Sequence, residues 1–344
     1  MGDDVRIGLL VPDKISVAAI QGAELAICEA NKKGSLNGKN FRLVIRSMEG
    51  PWGTGSKQAV DLIFNEKVWV LLGSHDGRNA HLVEQAATKS IVVMVSAWSA
   101  DPTLSQAFVP WFYNCVPNDL QQAETLSKEI FDIRKLKSFA VIYDQEYDSG
   151  QALSSMLRVL KADNRPVPLQ LSYEDYQDSI QGLLDKIIGS KAGCVLLFCS
   201  PKVSFRLFTL VRNAKPDIPV FGTLSVLNED ELTESELKCF DEGFQVTSSE
   251  WNSQKCRDFI RDYNEKYGIH PGMVAAYAYD GMGLIIEAAR RAGSNDRARI
   301  QKALSEITFS GITGNISFDA RGNRSDNYRL VSIGNGLPRD ALKD

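Results

Sequence analysis

VWVLLGSHDGRNAHLVEQAATKSIVVMVSAWSADPTL, Val68 to Leu104, holds two apolar runs, VWVLLG and IVVMVSAW, with one helical stretch between them. Each run empties into a polar loop. The first loop is Gly73, Ser74, His75, Asp76, Gly77 and Arg78; the second is Ser96, Ala97, Trp98, Ser99 and Ala100. Strand, helix, strand in this order is a βαβ unit, and its strands pair in parallel. In an open α/β sheet, ligands bind outside the carboxyl ends of the strands, where backbone N–H groups and helix N-termini receive an anionic group. Both loops carry small donors, and neither sets a nucleophile beside a base.

The same alternation runs outward in both directions. Strands are predicted at Val5 to Val11, Phe41 to Arg46, Val68 to Leu72 and Ile91 to Val95, with helices at 17–31, 56–65 and 79–88 between them. A second series starts near Val116, where Pro117-Asn118-Asp119 breaks the pattern and a helix follows. Its strands are Phe139 to Tyr143, Val167 to Leu171, Cys194 to Phe198, Val220 to Phe221 and Gly243 to Ser248, alternating with helices at 149–162, 178–188 and 203–213. Cys256 to Tyr267 and Val274 to Ala292 read as covering helices, 297–306 as a short one, and Gly311 to Phe318 and Tyr328 to Ile333 as two closing strands. Two series of like kind in 344 residues predict two lobes of like topology.

Lys plus Arg (39) against Asp plus Glu (43) gives a formal charge of −4, which argues against a nucleic-acid partner. No apolar run reaches the ~20 residues of a membrane span. The chain opens on Met-Gly-Asp-Asp-Val and then a strand. That start reads either as a cytosolic terminus or as one whose leader has been replaced. Cys28, Cys115, Cys194, Cys199, Cys239 and Cys256 make no zinc spacing, and most of them read as small buried hydrophobes, with a Cys239 to Cys256 bridge as the alternative. His75, His81 and His270 form no ligand set. No metal and no cofactor is expected.

Several loop residues have two readings. Ser74, Gly77 and Ser96 can donate to a carboxylate; Ser74 or Asp76 can instead cap the following helix. Asp76 and Arg78 can meet the two charges of a zwitterion or pair with each other. Trp98 is either a pocket wall or a wedge, and Trp52, in Gly-Pro-Trp-Gly, has the same two roles open to it. Asp280, among Tyr277, Tyr279 and Met282, reads as a structural hydrogen-bonding carboxylate. A nucleotide enzyme needs a phosphate loop. Gly53-Thr-Gly55 lacks the third glycine, and Gly50 to Gly55 is followed by Ser56-Lys57, the reverse of P-loop order.

Taken in order, the opening strand with Gly22 to Ala26, Asn31, Asn37-Gly38-Lys39, Ala59-Val60, the Gly73 loop, Ser96 with Asp101-Pro102-Thr103-Leu104, Tyr143-Asp144 through Tyr147, Tyr277 to Asp280, Gly311 to Gly314, Phe318-Asp319 and Gly322-Asn323 resemble the branched-chain amino-acid-binding (Leu/Ile/Val) family of type I periplasmic binding proteins. These are the solute receptors of ABC importers. The resemblance implies an α/β fold of two Rossmann-like lobes with parallel-sheet cores, joined by three hinge crossovers near 116–118, 246–249 and 318–323. The lobes would be 1–117 plus 249–318, and 118–248 plus 319–344. It implies a non-catalytic, monomeric, periplasmic or extracytoplasmic receptor that closes on a solute in Venus-flytrap fashion and hands it to a membrane permease. A cytosolic or receptor-linked sensor of the same fold is the alternative.

Carried over residue by residue, the serine that holds the ligand carboxylate falls near Gly77, and later alanine and threonine contacts fall on Trp98 and Ala100. Tyr147 matches a tyrosine of the second lobe, a further tyrosine falls near Ser200, and the acid that receives the ligand ammonium falls near Leu224. The Thr223 to Leu227 loop, with Ser225, would contribute from that lobe. Without the acid, a buried ammonium has no partner, so a small carboxylate with an apolar or aromatic body is expected ahead of an amino acid.

Overall fold

The computed structural model describes residues 4–106, 109–176 and 179–339, which leaves position 178 of the predicted helix at 178–188 and the last positions of the second lobe, 340–344, outside the described residues. The chain divides into two compact units, Met1–Val116 with Trp251–Asp326, and Pro117–Glu250 with Asn327–Asp344. The third passage falls after Asp326, later than the 318–323 read from the sequence. The Asp319–Arg324 turn is held in the first unit, where Asn114 N donates to Gly322 O at 2.8 Å and Arg324 donates to Cys115 O at 2.9 Å.

In the first unit β1 (Val5–Val11), α1 (Ala18–Lys32), β2 (Phe41–Ser47), α2 (Thr54–Phe64), β3 (Val70–Gly73), α3 (Gly77–Lys89), β4 (Met94–Ser96) and β5 (Phe112–Asn114) alternate as the hydrophobic periods require. The strands form a parallel five-stranded sheet in the order β2-β1-β3-β4-β5. Strand β5 was not foreseen: it is three residues long, and its apolar signal is broken by the exit toward Pro117. Leu10, Leu62, Leu71, Val83, Val92, Met94 and Phe112 fill one face of this sheet, each contributing ~1.5–3 kcal/mol by burial.

The second unit repeats the plan with α4 (Asp119–Lys128), β6 (Ala140–Tyr143), α5 (Tyr147–Ala162), β7 (Leu169–Ser172), α6 (Ile180–Gly189), β8 (Val195–Phe198), α7 (Pro201–Ala214), β9 (Val220–Gly222), α8 (Glu234–Cys239) and β10 (Phe244–Ser248). The parallel run β7-β6-β8-β9-β10 has the strand order of the first sheet with each strand renumbered. Its core holds Leu126, Phe139, Val141, Met156, Leu196, Phe198 and Phe221.

The chain then returns to the first unit as α9 (Gln254–Tyr267), α10 (Met273–Ala292), α11 (Arg297–Ser305), β11 (Phe309–Gly311) and β12 (Gly314–Ile316). Helix α10 packs along α1 so closely that a Cβ on Gly22 would lie 2.1 Å from the carbonyl oxygen of Ala275. Only glycine allows that approach. The segment Gly311 to Phe318, read as one strand, is instead half of a hairpin: β11 and β12 pair antiparallel around Ile312 and Thr313. The Asp280 carboxylate takes both amides of that turn, at 2.9 and 2.8 Å, and the Thr313 hydroxyl at 2.6 Å, which removes them from any strand ladder. Finally β13 (Arg329–Gly334) pairs antiparallel with β10 and β14 (Leu337–Pro338) antiparallel with β13, making seven strands in the second sheet. Among the described residues no helix is long and apolar enough to cross a membrane.

Candidate functional site

Both sheets run in the order 2-1-3-4-5, so each has a switch point where the chain changes direction across the sheet, and loops leaving it splay apart to admit a ligand. In the first unit the switch lies between β1 and β3. Gly73 and Ser96 are paired in register at the ends of β3 and β4, so the Ser74–Arg78 and Ala97–Ala100 loops leave side by side. Parallel hydrogen bonding continues past the strands: Ser74 N donates to Leu10 O at 3.0 Å, and Ala97 N to Gly73 O at 2.8 Å.

Each loop residue has a definite place. Asp76 caps α3, accepting from Asn79 N at 2.8 Å and from Asn79 Nδ2 at 2.7 Å. Of the two candidate caps, Asp76 is therefore the one that caps. Arg78 is exposed and stacks its guanidinium 4.8 Å above the ring of Trp52, which is itself 68% exposed in the loop after β2. Neither reaches the core. Ser74 and Gly77 are buried, Trp98 and Ala100 half-buried. Ala97 is fully buried, its methyl facing the bare Cα of Gly281 on α10. Ser99 is buried, and its carbonyl accepts from Asn114 Nδ2 at 2.9 Å.

His75 and Ser96 stand out. The His75 ring is buried with Nδ1 3.3 Å from the carbonyl of Asp76; a carbonyl can only accept, so Nδ1 carries the proton. Burial pushes the imidazole pKa down and keeps the ring neutral, leaving Nε2 as a lone-pair acceptor. Nε2 lies 2.8 Å from where a Cβ on Gly73 would be. That nitrogen and the Ser96 hydroxyl are buried with no protein partner. Buried polar atoms of this kind are rare and call for an explanation.

In the second unit the switch lies between β6 and β8. Asp144, at the end of β6, is buried and accepts the amide of Ser200, after β8, at 2.6 Å, and that of Glu146 at 3.2 Å. It thereby fixes the starts of α5 and α7 together. Tyr147 opens α5 and is half-buried; Ser200 precedes Pro201, the first residue of α7. After β9, Leu224 is buried and donates its amide to Gln122 Oε1 at 3.1 Å, while Ser225 Oγ lies 2.7 Å from Thr223 Oγ1. Tyr147, Ser200, Leu224 and Ser225 thus sit at the carboxyl ends of three adjacent strands. Trp52, Ser74 to Arg78 and Ser96 to Ala100 follow the carboxyl ends of β2, β3 and β4 in the first unit.

The residues that hold these loops were not foreseen. Asn114, Asp144 and Gln122 act through bonds to distant backbone that no local pattern announces. Asp101 had a legible signature, Asp-Pro-Thr: it caps the short turn after β4, and also meets His81 Nε2 at 3.0 Å. The Asp101 carboxylate raises the His81 pKa against the opposing effect of burial. All six cysteines are free thiols, so the Cys239 to Cys256 bridge does not form. Cys194 and Cys199 are buried, and burial pushes the Cys194 thiol up to about 12. Among the described residues no group of three or more His, Cys, Asp or Glu could hold a metal ion.

The family model for periplasmic binding proteins matches residues 4–336. The chain is 24% identical over 342 residues to the Leu/Ile/Val-binding protein homolog 2 of Brucella abortus, covering 94% of this chain and 88% of that one. Its fold is similar to the branched-chain amino acid transporter substrate binding protein LivJ of Streptococcus pneumoniae in complex with isoleucine, with a TM-score of 0.81, 20% identity and 98% of each chain covered. It is also similar to a solute binding protein of an ABC transporter from R. palustris in complex with benzoate, with a TM-score of 0.78, 18% identity, and 98% of this chain and 95% of that one covered. With the two matching switch-point sheets already described, the chain belongs to the periplasmic binding protein family.

Proposed function

We propose that this chain is the solute receptor of an ABC importer, working outside the cytoplasmic membrane as a monomer, and that it captures a small carboxylate with an apolar or aromatic body. The loops Ser74–Arg78 and Ser96–Ala100 of the first unit, and Tyr147, Ser200 and Leu224–Ser225 of the second, act on one solute, and the units close over it by a hinge motion before a permease receives it. No bond is made or broken. The acidic groups at the second unit's strand ends carry this reading of the ligand. Where amino-acid receptors place an acid, this chain has the buried Leu224, while the Asp144 carboxylate at the end of β6 accepts the amides of Glu146 and Ser200. Leu224 offers a ligand ammonium no counter-charge, and burying one unpaired is costly. A carboxylate meets the opposite situation. The Ser96 hydroxyl, buried with no protein partner, offers a donor without a full positive charge, and the N-terminus of α3 opens from the neighbouring loop. Trp98 and Tyr147 wall the apolar part.

The test is native mass spectrometry of the purified protein, then a thermal-shift series with benzoate, 3,4-dihydroxybenzoate, isoleucine and leucine. Aromatic acids are expected to raise the melting temperature more than the amino acids do. A larger shift with isoleucine overturns the ligand class, and turnover of any of the four overturns the receptor reading.

A further inference from the structure

The first unit is left or re-entered at three places: after Val116, before Trp251 and after Asp326. All three are fastened to one face of α10. Tyr277 meets Trp251 edge to face with ring centroids 5.6 Å apart, both side chains fully buried. One turn further on, a Cβ at Gly281 would lie 3.8 Å from Cys115 Sγ, so the helix rests directly against the strand that leads to the first exit. Asp280, between them, is fully buried and holds the Ile312–Thr313 turn through two amides and the Thr313 hydroxyl.

Thr313 passes the connection on. Its hydroxyl and carbonyl accept from the guanidinium of Arg324 at 2.9 and 2.6 Å, and the same guanidinium donates to Cys115 O at 2.9 Å and to Asp326 Oδ2 at 3.0 and 2.7 Å. Arg324 is 0% exposed. It therefore joins Cys115, beside the first exit, to Asp326, at the last one. Positions 277, 280 and 281 are related as i, i+3 and i+4, which puts them on a single helical face. A buried guanidinium is tolerated only where its hydrogen bonds are satisfied, so the network has one arrangement and little slack.

We infer that this face of α10 is an anchor plate that fixes the roots of all three connecting segments on the first unit's side, with Asp280 and Arg324 as positioning residues that never touch solute. Capture and release then work from fixed roots instead of loose tethers. The link to solute capture rests on the receptor reading; the anchor itself does not.

Hydrogen–deuterium exchange on the whole chain without ligand tests the anchor. In Arg324→Lys and Asp280→Asn, peptides covering 112–118, 250–253 and 322–328 are expected to exchange at least tenfold faster together, including the Trp251 peptide, which lies far along the chain from either substitution. Tyr277→Leu removes the ring contact without touching a charge and is expected to give the same three-way pattern. Leu304→Ala, buried in α11, serves as a control of general destabilisation and should leave the three peptides in step with the rest of the unit. Acceleration confined to 312–328 overturns the inference. A binding arm uses benzoate and isoleucine as probes: dissociation at least tenfold faster in Arg324→Lys supports the link to capture, and an unchanged dissociation rate overturns it. A wild-type chain that binds neither probe counts against the receptor reading, while the exchange pattern still decides the anchor.

Discussion

At the scale of single residues, Trp98 and His81 make opposite kinds of prediction. Trp98 is half-buried at the end of β4, where a large ring can wall a solute. Trp98→Ala is expected to weaken benzoate binding well over tenfold, about 2 kcal/mol in line with a hot-spot aromatic, as isothermal titration would show. An unchanged affinity takes the ring out of the pocket. His81 concerns stability. Its pKa is raised by the Asp101 carboxylate, so its contribution is complete below the unfolded imidazole value of ~6.5 and is lost as pH climbs through the folded one. His75 works in the opposite sense: burial lowers its pKa, so stability from that group is lost as pH falls below ~6.5. The comparison of wild type with His81→Gln isolates the first effect: the gap in melting temperature should narrow from pH 6 to pH 8, and a constant gap refutes the pairing. The cap on α3 and the turn signature at Asp101 were legible because each uses neighbours two or three positions away. The buried hydroxyl of Ser96 was not, because its isolation depends on how β3, β4 and His75 pack.

Among the elements, strands and helices with whole apolar periods were legible from the sequence, and the failures share one cause. Strand β5 has three residues, too few for a period, and exists because β4 offers an open ladder. The β11–β12 hairpin is bent by a carboxylate some thirty positions upstream, and no local reading finds such a partner. The same long reach explains why Asn114, Gln122 and Asp144 were missed while the loops they hold were found. Asn114→Ala removes the bonds to Ser99 O and Val116 N and should weaken solute binding severalfold with little change in circular dichroism; unchanged binding means that the Ser96–Ala100 loop holds its shape unaided. Gly22→Ala tests the closest helix contact. A methyl facing the Ala275 carbonyl must push α1 from α10, and urea unfolding should show a loss of about 1–3 kcal/mol. A neutral result means that the two helices have room to part.

For the whole molecule, a solute captured as proposed, by loops of both units, would stabilise both. A solute captured as proposed, at a hundred times its dissociation constant, adds ~2.7 kcal/mol to the folded state. Calorimetry is expected to show all unfolding heat moving to higher temperature, and a shift confined to part of it means that only one unit binds. The order in which the chain supplies its sheets has a separate consequence. Residues 117–250 contain five strands of the second sheet, but the partner of β10 on its outer side is β13, at 329–334. During synthesis that edge of β10 emerges without its neighbour and stays so while the whole α9–β12 segment is made. An uncovered edge strand invites pairing with another chain, so the nascent protein is most prone to aggregate in this interval. Ribosome-bound chains halted near residue 300 should therefore recruit holdase chaperones more strongly than those halted after residue 339 has cleared the exit tunnel.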